Sequence, residues 1–126
     1  MSKLYVVGIG PGRPEEMTLR AAKALGASDV IAGYGVYVDL VKPLFPDKEY
    51  IITPMRREVE RCRLAIESAR AGKATAVISS GDAGVYGMAG LICEMAGDVD
   101  VEIVPGVTAA LSGAAALGAP LGTTSP

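Results

Sequence analysis

The sequence predicts an α/β fold, a single three-layer domain with a mostly parallel five-stranded sheet flanked by helices. Two observations lead to this prediction. Five short runs rich in valine and isoleucine alternate with segments of helical periodicity, which is the order of βαβ units. Three of these runs end in turns of glycine and other small residues, at the strand ends where α/β proteins bind ligands. A length of 126 residues suits one domain with its own core.

The composition excludes several classes of function. Hydrophobic residues make up 50% of the chain and charged residues 21%, which is typical of a folded protein rather than a disordered one. The net charge is -2 and lysine and arginine are not clustered, so we expect no nucleic-acid partner. The apolar segment 104–121 is interrupted by proline and glycine, so we expect no membrane span.

The chain offers little for metal or redox chemistry. Cys62 and Cys93 are far apart in the sequence, and there is no histidine. We therefore expect no metal site and interpret both cysteines as small buried hydrophobic residues. The apolar run after Met1 is too short for a secretion signal, so the sequence predicts a cytoplasmic protein.

The first predicted strand runs from Leu4 to Ile9 and leads into the turn Gly8 to Gly12. The strand is continuously apolar and β-branched, as in a strand buried on both faces. The glycines permit a sharp turn and Pro11 fixes its own φ, so the loop is stiff. Thr18 is then expected to cap a helix over 19–25.

Two nucleotide-binding motifs are excluded for this first turn. A dinucleotide fingerprint needs a third glycine at the position that Arg13 occupies. A phosphate-binding P-loop needs Gly-Lys-Ser or Gly-Lys-Thr after the glycines, and the chain has neither.

The second predicted strand covers 29–32 and is followed by a tyrosine-containing segment, Gly33 to Leu40. Tyr37 and Asp39 are expected at the carboxyl end of this strand, where open α/β sheets bind ligands. Packing of Tyr37 on a short helix explains the same residues, and the sequence leaves both interpretations open. A third strand is predicted over 49–53.

The clearest helical pattern spans 56–71 and ends at Gly72. Its apolar positions share one face; they are Val59, Cys62, Ile66 and Ala69. The charged residues, Arg61 among them, are predicted to form a solvated face because charges of both signs are closely mixed. Arg56 differs, because a cation at the start of a helix opposes the helix dipole, so we treat it as a functional candidate.

The fourth predicted strand, 74–79, leads into the most distinctive stretch of the chain, Ser79 to Gly87. Four of its nine residues are glycine or alanine, so the main chain can approach a bulky ligand, and Asp82 supplies an acceptor. An ordinary strand-to-helix loop explains the stretch as well. A helix over 88–96 and a fifth strand over 99–104 follow.

A third small-residue turn, Pro105 to Ala109, follows the fifth strand and leads into an alanine-rich helix ending near Leu117. Because connections between parallel strands are right-handed, the turns after the first, fourth and fifth strands should lie along one edge of the sheet. The sequence therefore predicts one shared ligand site at that edge.

The three turns in this order resemble the tetrapyrrole methylase family of S-adenosylmethionine-dependent enzymes, over about residues 3 to 121. Three segments are also similar to the precorrin-3B C(17)-methyltransferases within that family, namely Tyr34 to Leu40, Met55 to Arg61 and Ser79 to Ala89. The resemblance implies methyl transfer to carbon 17 of a tetrapyrrole, metal-free or cobalt-loaded, with ring contraction in cobalamin biosynthesis. It also implies that the full-length enzyme is a homodimer.

The resemblance further implies which residues bind the cofactor, S-adenosylmethionine. They are Pro11, Ser80, Gly81, Asp82, Val85, Thr108 and Ala109. The candidates for the substrate are Arg13, Tyr37, Asp39 and Arg56, with the two arginines holding its carboxylates. Methyl transfer from a sulfonium is an in-line displacement, so positioning matters more than a protein nucleophile, and no catalytic residue is assigned.

Two residues depart from the family pattern. Gly35 stands where uroporphyrinogen methylases carry an aspartate, which argues against that reaction. Ala83 replaces the usual proline, which makes the turn less rigid.

Members of the family are longer than this chain, so we expect residues 1–121 to be an amino-terminal domain and 122–126 to be a tail outside the family. The carboxyl-terminal domain is then absent, and this chain alone is expected to be inactive. Two alternatives stay open. One is another precorrin methylase or a diphthine synthase of the same fold, and the other is a noncatalytic ligand-binding or assembly module.

Overall fold

A computed structural model describes residues 3–10 and 17–106, except for the side chains of Asp82 and Ala83. Within these residues, strands and helices alternate along the chain. They are β1 Leu4–Gly8, α1 Leu19–Ala27, β2 Val30–Tyr34, α2 Gly35–Val41, β3 Glu49–Thr53, α3 Glu58–Arg70, β4 Thr75–Ser79, α4 Asp82–Met95 and β5 Val101–Val104. Each element predicted within the described residues is present, and β3 has the predicted bounds. The helix predicted to end near Leu117 lies outside the described residues.

The five strands form one sheet in the order β3-β2-β4-β1-β5. Every strand pairing is parallel, which confirms the predicted fold class. Val6 of β1 pairs with Val77 of β4 on one side and with Ile103 of β5 on the other. The middle of the sheet is therefore built from β2, β4 and β1, the most apolar strands of the chain.

Both faces of this sheet are covered by helices, which explains the continuous apolar runs. Val7, Ile31 and Ile78 belong to a buried cluster with α1 and α2. Alternate strand residues such as Val6 and Val77 belong to a second cluster with α3 and α4. The molecule thus has three layers, with an apolar core on each side of the sheet. Within the described part of the chain, no helix has the length and apolar character needed to cross a membrane.

The connections from β1 and β4 leave the sheet in opposite directions. From β1 the chain passes through α1 to β2, whereas from β4 it passes through α4 to β5. Because β1 and β4 are neighbours, their carboxyl ends border a crevice of the kind in which open α/β sheets bind ligands.

Two predicted helix ends are confirmed. The Thr18 hydroxyl accepts a hydrogen bond from the Ala21 amide at 3.1 Å and caps α1. Gly72 follows the end of α3 with a φ of +94°, a left-handed conformation that glycine adopts at little cost.

The helix α4 begins at Asp82, whereas the sequence predicted a turn through Gly87 and a helix from Met88. The prediction was wrong because glycine lowers helix propensity. In the structure the Val85 amide donates to the Gly81 carbonyl at 2.9 Å. Gly84 faces the Ser79 hydroxyl in the space where a β-carbon would otherwise lie. Packing of the first turn of the helix on the end of β4 therefore outweighs local propensity.

The outer surface of α3 is charged, as predicted. Arg63 pairs with Glu67 at 2.7 Å, and Arg70 pairs with Asp98 at 2.7 Å. Val59, predicted for the buried face, lies in the first turn of α3 and is instead 60% exposed. The two exposed ion pairs of α3 contribute little to stability, so its charged face mainly keeps the helix solvated.

Candidate functional site

The three small-residue turns meet at one edge of the sheet, as predicted. A β-carbon built on Gly8 would lie 2.6 Å from the amide nitrogen of Gly106, so the turns after β1 and β5 are in backbone contact. The Ile9 amide donates to the Ser79 carbonyl at 2.9 Å, which joins the turns after β1 and β4. The described parts of all three turns therefore form one continuous surface.

An open cleft of about 320 Å³ lies beside this surface, between α3 and α4. Its polar side chains come from α2, α3, β4 and the connection between β4 and α4, while α4 contributes glycine and apolar residues. The lining residues are Tyr37, Glu58, Arg61, Ser79, Ser80, Gly84, Gly87, Met88 and Leu91. The lining combines apolar side chains with hydroxyl and charged groups, a combination typical of small-molecule sites.

Arg61 is the cleft residue that sequence reasoning placed wrongly. It is only 6% exposed rather than part of the solvated face. Its Nε donates to the Thr53 hydroxyl at 2.7 Å and its Nη2 to the Pro54 carbonyl at 3.3 Å. The sequence did contain a signal, because Arg61 lies four and eight residues before the buried Ala65 and Ala69.

The predicted substrate residues are not all brought together. Tyr37 lines the cleft, and its ring packs edge-on against Tyr34 with centroids 5.6 Å apart. Asp39 is exposed on α2 outside the cleft lining. Arg56 is exposed in the turn before α3 and has a φ of 65°, the only positive φ of a non-glycine residue within the described part of the chain. Arg13 lies outside the described residues.

The predicted cofactor residues fall into three groups. Ser80 and Gly81 form the short connection between β4 and α4, and Ser80 is exposed at the cleft. Val85 is fully buried beneath Gly8, within the core cluster of α3 and α4. The remaining candidates lie outside what the structure describes, either wholly or in their side chains; they are Pro11, Thr108, Ala109 and Asp82.

The two cysteines have different environments. Burial raises the pKa of the Cys62 thiol to about 11, and its Sγ donates to Met88 Sδ at 3.1 Å. Cys62 is therefore a protonated core residue below the cleft, as predicted. Cys93 is exposed, so the expectation that it would be buried was wrong. Among the residues that the structure describes, no three His, Cys, Asp or Glu side chains are grouped to hold a metal ion.

Comparison with known proteins decides the family. A family model described as Tetrapyrrole (Corrin/Porphyrin) Methylases matches residues 3–125. The chain belongs to this family. The match reaches past residue 121, where we expected the resemblance to end.

Two curated relatives of this tetrapyrrole methylase are named for methylation at carbon 17. A Salmonella typhimurium protein named "Probable cobalt-factor III C(17)-methyltransferase" is 52% identical over 122 residues. A Sinorhizobium protein named "Precorrin-3B C(17)-methyltransferase" is 40% identical over 126 residues. Each alignment covers 94% of this chain but only 51% and 49% of the two relatives. The chain thus spans about half the length of the curated relatives it matches.

Solved structures of similar proteins share the fold of this tetrapyrrole methylase. The crystal structure of the methyltransferase CobJ has a TM-score of 0.76 and 37% sequence identity, over 97% of this chain and 53% of that chain. Uroporphyrin-III C-methyltransferase from Thermus thermophilus, crystallised with S-adenosyl homocysteine, has a TM-score of 0.66 and 28% identity, over 89% and 48% of the two chains.

Proposed function

We propose that the complete enzyme transfers the methyl group of S-adenosylmethionine to carbon 17 of a precorrin-3-type macrocycle, with ring contraction, in cobalamin biosynthesis. The names of the two curated relatives support the substrate, which is either metal-free or cobalt-loaded. The observation on which the proposal chiefly rests is the meeting of three small-residue turns at the crevice between β1 and β4, beside an open cleft.

In this proposal the cofactor lies along the three turns. Ser80 and Gly81 border it, together with the segments that contain Pro11 and Thr108. The local geometry fits such a ligand, since no described atom outside its two chain neighbours comes within 4 Å of a β-carbon built on Gly81. Asp82 and Ala109 complete the predicted set, while the buried Val85 supports the turn from below.

The macrocycle then occupies the cleft side of the same edge. The cofactor supplies an electrophilic methyl group, so the residues of this chain act by orienting the acceptor carbon. Tyr37 contacts the ring, and Asp39 lies nearby. Arg13 and Arg56 hold peripheral carboxylates. The relatives extend well beyond the aligned region, and we propose that this additional part of the complete enzyme closes the open side of the cleft.

The experiment uses the protein expressed from its complete reading frame. Isothermal titration with adenosylhomocysteine tests the cofactor site, and mass spectrometry after incubation with S-adenosylmethionine and cobalt-factor III tests methyl transfer. Asp82→Ala should weaken cofactor binding about 10- to 100-fold, the effect of losing a charged hydrogen-bond partner. The exposed Asp47→Ala is the matched control.

Absence of adenosylhomocysteine binding to the wild-type protein would refute the cofactor assignment. Binding without methylation of cobalt-factor III or precorrin-3B, but with methylation of another tetrapyrrole, would assign the chain to a different branch of the family. A noncatalytic module would bind a ligand but would methylate no tetrapyrrole.

We also propose that the complete enzyme is a cytoplasmic homodimer, on the strength of the family resemblance. Light scattering on the purified protein measures its mass directly. A monomer at micromolar concentration contradicts the dimer.

A further inference from the structure

We infer that Arg61 is an anion anchor, whose buried guanidinium binds one carboxylate group of a ligand in the cleft. The inference rests on the proposed function for the identity of the ligand. Two sources of that carboxylate exist within the proposed reaction. One is the amino-acid end of the cofactor, and the other is an acid side chain of the macrocycle.

Arg61 has no counter-charge among the described side chains. Arg61 is 6% exposed, and a buried charge is costly unless it is paired. Among the side chains that the structure describes, no carboxylate lies within 4.0 Å of its guanidinium. Glu58 lines the same cleft but forms no ion pair with it. A bound carboxylate compensates the buried charge.

The Arg61 guanidinium also has N–H groups that remain available to a ligand. A guanidinium carries five N–H donors in a planar fork. One on Nε and one on Nη2 are used by the Thr53 hydroxyl and the Pro54 carbonyl, both of which are neutral acceptors. The three remaining N–H groups, two on Nη1 and one on Nη2, have no acceptor in the described part of the chain. N–H groups on both terminal nitrogens can bind the two oxygens of a carboxylate.

The position of Arg61 suits a ligand in the cleft. Arg61 lines the cleft together with the hydroxyl-bearing Tyr37, Ser79 and Ser80. Its hydrogen bonds to Thr53 and Pro54 fix the plane of the guanidinium at the end of β3. The Arg61 side chain therefore loses little further conformational freedom when a ligand binds. The turn after β4 borders the cleft and also contacts the turn after β1, where the cofactor is proposed to lie. Arg61 is therefore within reach of a carboxylate of either the cofactor or the macrocycle.

The structural alternative is that Arg61 only clamps the connection between β3 and α3. The experiment separates the two roles with paired ligands on the complete protein. The first pair is adenosylhomocysteine and its decarboxylated analogue. The second pair is cobalt-factor III and its methyl ester. Affinities are measured by isothermal titration for the wild type, Arg61→Gln, Arg61→Lys and the control Arg70→Gln, whose guanidinium is exposed and paired with Asp98.

We expect Arg61→Gln to weaken binding of the carboxylate-bearing member of one pair about 10- to 100-fold, while binding of the analogue without the carboxylate changes less than about twofold. Arg61→Lys should lose less than Arg61→Gln because it keeps the positive charge. Arg70→Gln should bind all four ligands like the wild type. The pair that responds identifies the source of the carboxylate.

An equal loss for both members of each pair, or no loss at all, overturns the inference and leaves the clamp as the role of Arg61. If circular dichroism shows that Arg61→Gln does not fold, the test uses the paired ligands on the wild-type protein alone. Removal of the carboxylate must then weaken binding in at least one pair, and a change below about threefold in both overturns the inference. Failure of the proposed function is distinguishable, because the wild type then binds neither adenosylhomocysteine nor cobalt-factor III.

Discussion

Gly8 and Gly106 are packed backbone to backbone. A β-carbon on Gly8 would lie 2.6 Å from the Gly106 amide nitrogen, and a β-carbon on Gly106 would lie 2.6 Å from the Gly10 amide nitrogen. Neither backbone can give way as a flexible side chain would. The shape of the ligand edge therefore depends on the absence of side chains at these two positions.

Gly8→Ala should destabilise the protein. The added methyl group would meet the Gly106 backbone and, at 3.1 Å, Cγ2 of the buried Val85. Overpacking of this kind costs about 1 to 3 kcal/mol in the free energy of unfolding, measured by urea denaturation. Gly90→Ala is the control, because nothing lies within 4 Å of its added β-carbon and alanine favours the helix by up to about 1 kcal/mol. Equal effects of the two substitutions would contradict the close packing.

Thr53→Val should leave the buried Arg61 guanidinium without one of its acceptors. The side chain keeps its shape, but the hydrogen bond of 2.7 Å is lost. We expect a loss of about 2 to 3 kcal/mol in unfolding free energy, since the unsatisfied donor is charged. Thr53→Ser retains the hydroxyl and should lose clearly less. If both variants unfold at the same urea concentration, the hydrogen bond does not stabilise the fold.

Thr18→Ala should shorten or destabilise α1. Its hydroxyl satisfies the Ala21 amide at the start of the helix, and loss of such a cap costs about 1 kcal/mol. Thr18→Ser preserves the capping oxygen and should remain close to the wild type. Thermal unfolding monitored by circular dichroism measures the difference between the two variants.

The cysteines should react very differently with iodoacetamide at pH 8. With a pKa of about 11, only about one Cys62 thiol in a thousand is ionised at that pH, and its burial blocks the reagent. The exposed Cys93 should be alkylated within the time that Cys62 remains unmodified. Peptide mass spectrometry distinguishes the two sites, and denatured protein should react at both. Rapid alkylation of Cys62 in the native protein would show that the core around it opens.

Much of the fold could be predicted because its strands are buried on both faces and read as continuous apolar runs. The bounds of β3 were predicted correctly from Glu49 to Thr53. The start of α4 could not be predicted, because it depends on contact between Gly84 and Ser79, which local propensity does not contain. The sheet order was not predicted either, since the strand pattern alone does not say which connections cross over.

The site was predicted in part. The meeting of the turns followed from the handedness of βα connections. Tyr37 lines the cleft at the sheet edge, and its contact with a ligand stays a prediction. Arg61 was missed because charge was taken as a sign of exposure, although its spacing to Ala65 placed it on the buried stripe. Arg56 was singled out for its position before the helix, and the structure places it outside the cleft that contains Arg61.

The central place of β4 has a consequence for the order of folding. β1 forms hydrogen bonds only with β4 and β5 among the described strands, so residues 4–8 have no sheet partner until residue 75 has been synthesised. β2 and β3, in contrast, can pair as soon as residue 53 is available. Such non-local pairing slows folding because the entropy of closing the long loop is lost before the strand contacts can form. The nascent chain therefore carries its first apolar strand without a sheet partner until β4 has been synthesised, and during this period a chaperone has the most to protect.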